Sequence, residues 1–357
     1  MKKVFNKLRR TPVEAEQPAR ITTDTIAEHR EKILAGGRRF KYPVQYARHK
    51  LVINAILISV AALLALLGLG YWQLYGAQNS SDFMYRVTRV VPLPVAVIDG
   101  EQVRYSDYLL KYRGSIHYLR EIEGVNFSSE DGQRQADFVK NQELNDTIAD
   151  AYAKKLAREL DITVTEVELE EVLRQQRISG QSEQSEAAYY TTIRDYYGWS
   201  ADEYREITRT KLLRQKVSYA IDEKASAVST QVGDAIRGGS TDLRALADSL
   251  NAQTPGTVVY AAPGLLPRGN QDGGLSIAAA SLEVGQISEA IRSSTGDGYY
   301  YVKLLDGNSS QLSYEYIRVP LSEFSATVES ALSGGDTQVS VFIQRPEQPQ
   351  TQTAQPQ

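Results

Sequence analysis

Residues 51–75 form an uncharged apolar run, LVINAILISVAALLALLGLGYWQLY, and this run restricts the fold of the chain more than any other feature. At 1.5 Å per residue, a helix of this length crosses the roughly 30 Å hydrocarbon core of a bilayer. Aromatic rings gather at its C-terminal end, where amphipathic side chains prefer the headgroup level: Tyr71, Trp72 and Tyr75. The run therefore predicts one transmembrane helix in contact with lipid, because a buried core helix rarely stays uncharged for so long.

Charge on either side of the run predicts its orientation. Residues 1–50 contain 13 Lys+Arg against 5 Asp+Glu, and the rest of the chain is acidic. Only Arg86 and Arg89 follow within about fifteen residues of the outer end. We expect residues 1–50 to be a basic cytoplasmic tail and residues 76–357 to lie outside, in a single-pass protein of the cell membrane. A cleaved signal peptide is disfavoured, since the run is long and begins far from the N-terminus.

Composition argues against several kinds of chemistry. The chain has no Cys, so disulfides, a lipoprotein anchor and a thiol nucleophile are excluded. Its three His residues do not form a metal-binding pattern: His29, His49 and His117. No phosphate-binding loop, dinucleotide fingerprint or serine-hydrolase elbow is present. We predict no cofactor, no metal and no nucleic-acid partner.

The soluble part begins with a helical pattern. After a predicted linker over 76–92, Asp99-Gly100 stands between two β-type runs and favours a hairpin, because Gly accepts the positive φ of a primed turn. Apolar residues then recur at helical spacing to about Ile221, with Ser or Thr at the helix starts. Residues 93–224 are therefore predicted to form a helical domain.

The pattern changes after residue 225. Two helices precede a Gly- and Pro-rich stretch, and strand patterns follow at Gln286–Ile291, Gly298–Leu305 and Tyr314–Leu321. Residues 225–342 thus predict a small α+β domain, which makes the fold class mainly α, then α+β. The Pro/Gln-rich end over 343–357 is predicted to be disordered.

Three segments of the helical region resemble the SurA/PrsA/PpiD class of extracytoplasmic chaperones. VAVIDGEQVRYSDYLLKY is similar to the opening of that family's chaperone module, and LNDTIADAYAKKLARELDITVTEVELEEVL to its next element. GWSADEYREITRTKLLRQKV resembles the closing helix, so the likeness covers about residues 93–220. Asp161 stands where the family usually has Gly. The resemblance implies a SurA N-terminal-like module that binds unfolded or nascent secreted polypeptides.

The C-terminal region resembles the parvulin-type peptidyl-prolyl isomerase domain of the same chaperones. DLRALADSLN, QDGGL, SLEVGQISEAI and GYYYVKLLD are similar to successive family motifs. Two features depart from the family. The family's first strand, which ends in His-Ile-Leu-Val, is missing before Lys224–Arg237, and Tyr300 stands where a second His is usual.

A later segment resembles the missing strand. Residues 316–319, Tyr-Ile-Arg-Val, are similar to His-Ile-Leu-Val, and a hairpin from Gly298–Leu305 to Leu312–Val319 would bring them to the vacant place. The domain would then be a circularly permuted parvulin-like fold, with Tyr300 and Tyr316 at the two His positions. The alternative is an ordinary hairpin at the edge of an incomplete sheet. Phenols stay protonated near neutral pH and cannot replace a tautomeric imidazole pair, so we expect a degenerate catalytic site.

Aromatic residues crowd one stretch of the helical region and are candidates for client binding: Tyr189, Tyr190, Tyr196, Tyr197, Trp199 and Tyr204. Such rings bury much area with few torsions, which suits loose recognition of unfolded segments. Packing in the helical core is the alternative. Three functions remain open: a membrane-anchored holdase, an active prolyl isomerase, and a structural envelope protein that binds one fixed partner.

Overall fold

The computed structural model describes residues 22–179, 182–332 and 339–344, which divide into a unit ending at Trp72 and a unit beginning at Gln73. The described part of the first unit consists of helix α1 (Thr23–Tyr71), opened by a capping box between Thr22 and Thr25, and of Trp72. The stretch His49–Gly76 is long and apolar enough to cross a membrane, in agreement with the predicted single-pass protein. Of the predicted tail, residues 1–21 lie outside the described residues.

The segment predicted as a linker is largely structured, which corrects that prediction. A π-helical turn covers Trp72–Gly76, and helix α2 (Asp82–Val90) follows. Ser81 caps α2, and one side of this helix is buried, at Met84, Tyr85 and Thr88. The helix is short and only half apolar, so it lacked the long periodic signal that predicts a helix from sequence.

The helical domain opens with the predicted hairpin. Its strands are β1 (Pro94–Ile98) and β2 (Glu101–Arg104), joined by a turn in which Asp99 and Gly100 both have positive φ. The helices that follow are α3 (Tyr105–Glu121), α4 (Glu130–Glu159), α5 (Glu166–Gln176), α6 (Glu186–Tyr197) and α7 (Ala201–Ile221). Two antiparallel strands of two residues each, β3 (Ile178–Ser179) and β4 (Ser182–Glu183), lie between α5 and α6. The hairpin β1–β2 packs on α3 and α4 around Val95, Ile98, Leu109, Leu144 and Ile148.

A buried ion cluster joins three of these helices. Lys111 on α3 binds Asp146 and Asp150 on α4, and both carboxylates also accept from Arg214 Nη1 on α7, at 2.6 and 2.9 Å. Burial raises the pKa of the Asp146 carboxyl, but Lys111 and Arg214 outweigh burial and lower this pKa. Two cations and two carboxylates balance each other, so the interior carries no net charge here.

The second domain contains a four-stranded antiparallel sheet. Helices α8 (Glu223–Arg237) and α9 (Leu243–Gln253) precede strand β5 (Val259–Pro267), helix α10 (Leu275–Ala280) and the strands β6 (Ile291–Arg292), β7 (Gly298–Gly307) and β8 (Gln311–Pro320). The strand order is β5-β8-β7-β6. Helices α8 and α9 cover one face, where Tyr299 and Tyr301 pack, and α10 covers the other.

The predicted hairpin β7–β8 is confirmed, with Tyr300 opposite Arg318 and Val302 opposite Tyr316. Strand β8 lies between β7 and β5, so the alternative of an edge hairpin is wrong. Strand β5 was not predicted, because Pro263 and Gly264 interrupt its pattern. Both residues are tolerated in this strand because it lies at the sheet edge and is irregular between Ala261 and Gly264.

The end of the chain returns to the helical domain. Helix α11 (Glu323–Leu332) packs on α4 and α7, and β9 (Val339–Val341) pairs antiparallel with β1. Ile343 is buried in the same core as β1. These residues therefore pack with the helical domain, although the sequence suggested 225–342 as the second domain and 343–357 as a tail; residues 345–357 lie outside the described residues. The helical domain thus contains chain from both ends of the unit that begins at Gln73.

Candidate functional site

Seven aromatic side chains meet on one side of the helical domain, and we call them the aromatic cluster: Tyr118, Tyr189, Tyr190, Tyr196, Tyr197, Trp199 and Tyr204. They come from α3, α6, α7 and the turn between α6 and α7. That turn depends on Gly198, whose φ of 69° lies in the left-handed region. The structure thus brings together all six aromatic residues that the sequence singled out.

Four rings of the cluster form a stack. Tyr197 and Trp199 are closest, with ring centroids 4.6 Å apart and planes at 17°. Tyr118 stacks on Tyr197 at 5.7 Å, and Tyr204 lies 6.3 Å from Trp199. Each such pair contributes about 0.5–1.5 kcal/mol beyond the area that it buries. The stack therefore holds the rings in a fixed arrangement and joins α3 to α7.

The remaining rings join the stack at two places: Tyr196 packs against Tyr118, with ring centroids 6.2 Å apart, and the other two contact Tyr204. Tyr189 and Tyr190 meet Tyr204 edge-on, at 5.9 and 6.4 Å between centroids. The hydroxyl oxygens of Tyr189 and Tyr204 are 2.8 Å apart, and Tyr204 donates to Gln176 Oε1 at 2.9 Å. Burial raises the pKa of the Tyr204 phenol, and its hydrogen bond with Tyr189 raises it further. Tyr204 therefore stays neutral and serves as a hydrogen-bond donor.

The cluster is partly packed and partly open to solvent. A hydrogen bond to α3 fixes the indole ring of Trp199, because its Nε1 donates to the carbonyl oxygen of Leu110 at 2.9 Å. Tyr196 is 42% exposed, and the other five predicted rings are half-buried. The inner rings thus pack the domain, and the outer rim presents aromatic surface, while client binding by these rings stays a prediction. Its partly exposed apolar ring surface is suited to noncovalent contact with apolar groups.

Tyr118 and Gln176 belong to this site but were missed in the sequence. Tyr118 sits inside the periodic pattern of α3, far from the aromatic stretch, and Gln176 ends α5. Their roles arise from tertiary packing of α3, α5 and α6. No local signal in the sequence could have identified them.

The two tyrosines expected at the parvulin His positions lie side by side on neighbouring strands. The rings of Tyr300 and Tyr316 are 5.2 Å apart between centroids and tilted by 54°. Tyr300 donates to Asp297 Oδ2 at 2.6 Å, and Arg318 Nη1 donates to the same oxygen at 3.0 Å. Burial raises the pKa of Tyr300, and the bond to Asp297 raises it further. The Tyr300 hydroxyl is therefore held by a structural carboxylate.

Asp297 itself is an anion held by several donors. Burial raises the pKa of its carboxyl, but hydrogen bonds from Ser293, Thr295 and Tyr300 outweigh burial and lower the pKa to about 2. Asp272-Gly273-Gly274, part of the parvulin-like motif QDGGL, forms a tight turn. Both glycines have positive φ, and Asp272 accepts from the backbone N of Ser276 at the start of α10.

The helical part of the chain is similar to a known protein family. Residues 44–218 match the family model of the SurA-like N-terminal domain, which covers the apolar end of α1 and the helices α2 to α7. The match supports a SurA/PpiD-like chaperone family and a chaperone-type role. The aromatic cluster lies within the matched residues. No curated protein and no solved structure matches the chain significantly.

Proposed function

We propose that this protein is a membrane-anchored holdase, which binds unfolded or nascent secreted polypeptides outside the cytoplasm. The observation that carries the proposal is the aromatic cluster, a partly exposed group of rings within the SurA-like domain. Rings with polar tips bind many apolar sequences, because they bury large areas at low cost in conformational entropy. Attachment by residues 51–75 keeps the local concentration of binding sites high, so weak affinity for each client suffices.

We further propose that the sheet domain is a circularly permuted parvulin-like fold without isomerase activity. The central position of β8, between β5 and β7, supports this proposal, as do the sequence motifs of the domain. Prolyl isomerisation requires stabilisation of a twisted amide, whose rotational barrier is about 18–20 kcal/mol. The Tyr300 hydroxyl is bound to Asp297, and the ring of Tyr316 packs beside the ring of Tyr300. These two phenols do not replace the pair of imidazoles that the parvulin family uses.

Aggregation assays test holdase function directly. Full-length protein in lipid nanodiscs should slow the aggregation of several unrelated unfolded proteins without ATP. The double substitution Tyr196→Ala and Tyr197→Ala should remove most of this protection, whereas Val167→Ala on α5 should not. Val167 is a suitable control because it is apolar and 80% exposed but lies outside the aromatic cluster. Protection no greater than that of an equal mass of inert protein would refute the holdase.

Two further measurements separate the competing functions. A proline-limited refolding assay tests for an active isomerase, and catalysis lost in Tyr316→Ala would overturn the proposal of an inactive site. Protease added to intact spheroplasts tests the orientation, since it should remove the C-terminal domains and leave a small N-terminal fragment. Crosslinking in cells to one constant partner would favour the structural envelope protein.

A further inference from the structure

The outward face of α2 carries an apolar stripe. Phe83, Arg86 and Val90 stand at positions i, i+3 and i+7, which lie above one another on a helix. All three are exposed, Phe83 by 67% and Val90 by 83%. We call these three residues the α2 stripe. Two large apolar groups on one exposed helical face, with a long cationic side chain between them, form an amphipathic surface.

The opposite face of α2 is fixed to the helical domain, so the stripe cannot turn inward. Met84, Tyr85 and Thr88 are buried. Tyr85 donates to Glu203 Oε1 at 2.7 Å, and the guanidinium of Arg113 lies over the Tyr85 ring, 4.8 Å from its centroid. The stripe is therefore a permanent part of the surface of this domain.

The position of α2 in the chain limits how far it can lie from a membrane. The apolar stretch reaches Gly76, but Leu74 is already buried in the core of the helical domain, so contact with lipid ends before this residue. Only residues 74–81 separate that point from the first residue of α2, and even fully extended they span at most about 30 Å. The stripe thus lies within reach of the headgroup layer that the chain leaves.

We infer that the α2 stripe binds the surface of the bilayer that anchors the protein. Phe83 and Val90 enter the boundary between headgroups and acyl chains, and Arg86 reaches anionic phosphates. Residues 51–357 carry 27 Lys+Arg against 39 Asp+Glu, so anionic lipid repels this part of the chain as a whole. A local basic and apolar stripe supplies the attraction that the rest of the surface lacks. This inference rests on the membrane anchor of the proposed function.

Contact between the α2 stripe and the bilayer would also determine where the aromatic cluster lies relative to the membrane. Glu203, which accepts from Tyr85, lies in the first turn of α7, next to Tyr204 of the cluster. Because α2 and the start of α7 are joined in this way, a bound stripe would hold the cluster close to the membrane surface. Polypeptides that emerge from the membrane would then meet the cluster before they enter the bulk solution.

Spin labels on single cysteines test the inference, because the chain has no cysteine of its own. Phe83→Cys, Val90→Cys and, as a control, Val167→Cys are labelled in full-length protein reconstituted into vesicles with and without anionic lipid. Labels at 83 and 90 should collide several-fold more often with oxygen than with a water-soluble nickel complex. This preference for oxygen should be larger in vesicles that contain anionic lipid. The label at 167 should behave as in water.

Three other results would count against contact between the α2 stripe and the bilayer. Labels at 83 and 90 that match the control, in protein that stays in the vesicles after alkaline carbonate, would overturn the inference and leave the anchor intact. Labels shielded from both reagents would indicate a protein partner, such as a second copy, and would also overturn it. Release of the protein by carbonate would refute the anchor, and the inference with it.

Discussion

Gly114 on α3 lies directly against the indole ring of Trp199, so that a Cβ at Gly114 would stand 2.4 Å from the ring atoms Cε2 and Cζ2. No side chain fits between these groups, and the ring cannot withdraw without breaking its hydrogen bond to Leu110. Gly114 thus sets how deeply Trp199 sits and, through the stack, how the outer rings are presented. This close approach couples the packing of α3 to the geometry of the aromatic cluster.

Gly114→Ala should therefore weaken both the fold and client binding. Forcing a methyl group into this contact costs about 1–3 kcal/mol of unfolding free energy. Protection of unfolded clients should fall as well, because Tyr197 and Trp199 must shift. Urea unfolding and aggregation assays measure the two effects. Gly307→Ala in the second domain is the control and should change both far less, because its Cβ would meet Leu312 at 3.5 Å, an ordinary contact distance.

The free energy of unfolding should fall when a residue of the buried ion cluster is replaced and when the pH is lowered. Lys111→Met leaves two carboxylates at one site and should cost roughly 3–5 kcal/mol, whereas Arg134→Met in an exposed pair should cost at most about 1 kcal/mol. Because the folded-state pKa of Asp146 is lowered, its contribution is present above the unfolded pKa and is lost as pH falls through the folded pKa. Unfolding in urea below pH 4 should show this loss in the wild type, and its absence would contradict the role of the cluster.

The returning C-terminal segment should stabilise the helical domain. Ile343→Ala empties a core site, since Ile343 is 7% exposed, and should cost about 2–5 kcal/mol. Its neighbour Phe342 is 46% exposed, so Phe342→Ala should cost clearly less. Chemical unfolding monitored by circular dichroism compares the two variants. Equal effects would mean that the segment does not contribute to this core.

Asp161 has a φ of 54°, in the left-handed region that favours glycine. A non-glycine residue pays about 1 kcal/mol for this conformation. Asp161→Gly should therefore raise the melting temperature slightly, while Asp161→Val should lower it, because a β-branched residue is strained there. A drop in stability for Asp161→Gly would show that its side chain matters more than its backbone.

Local signals predicted the elements that depend on nearby residues. The uncharged run became the apolar part of α1, Asp99-Gly100 formed its turn, and the periodic segments became α3 to α7. The hairpin β7–β8 was predicted from two adjacent strand patterns and a short loop. In each case the residues that decide the structure are close together in the sequence.

Elements that depend on distant partners could not be predicted in this way. Strand β9 exists because it pairs with β1, some 240 residues earlier, and its own three residues carry almost no pattern. Strand β5 is stabilised by β8 despite Pro263 and Gly264. The sequence indicated six rings of the aromatic cluster because they are neighbours, but Tyr118 joins them only through the packing of α3 against α6.

Site-specific photocrosslinking from the rim of the aromatic cluster shows which polypeptides this surface contacts in living cells. A photoreactive amino acid replaces Tyr196 in the full-length protein in living cells, and a second variant carries it at Val167 as a control. Holdase function predicts crosslinks from position 196 to many different secreted polypeptides, captured while unfolded or nascent, and few from position 167. A single constant partner at position 196, or equal and unspecific labelling at both positions, would contradict it.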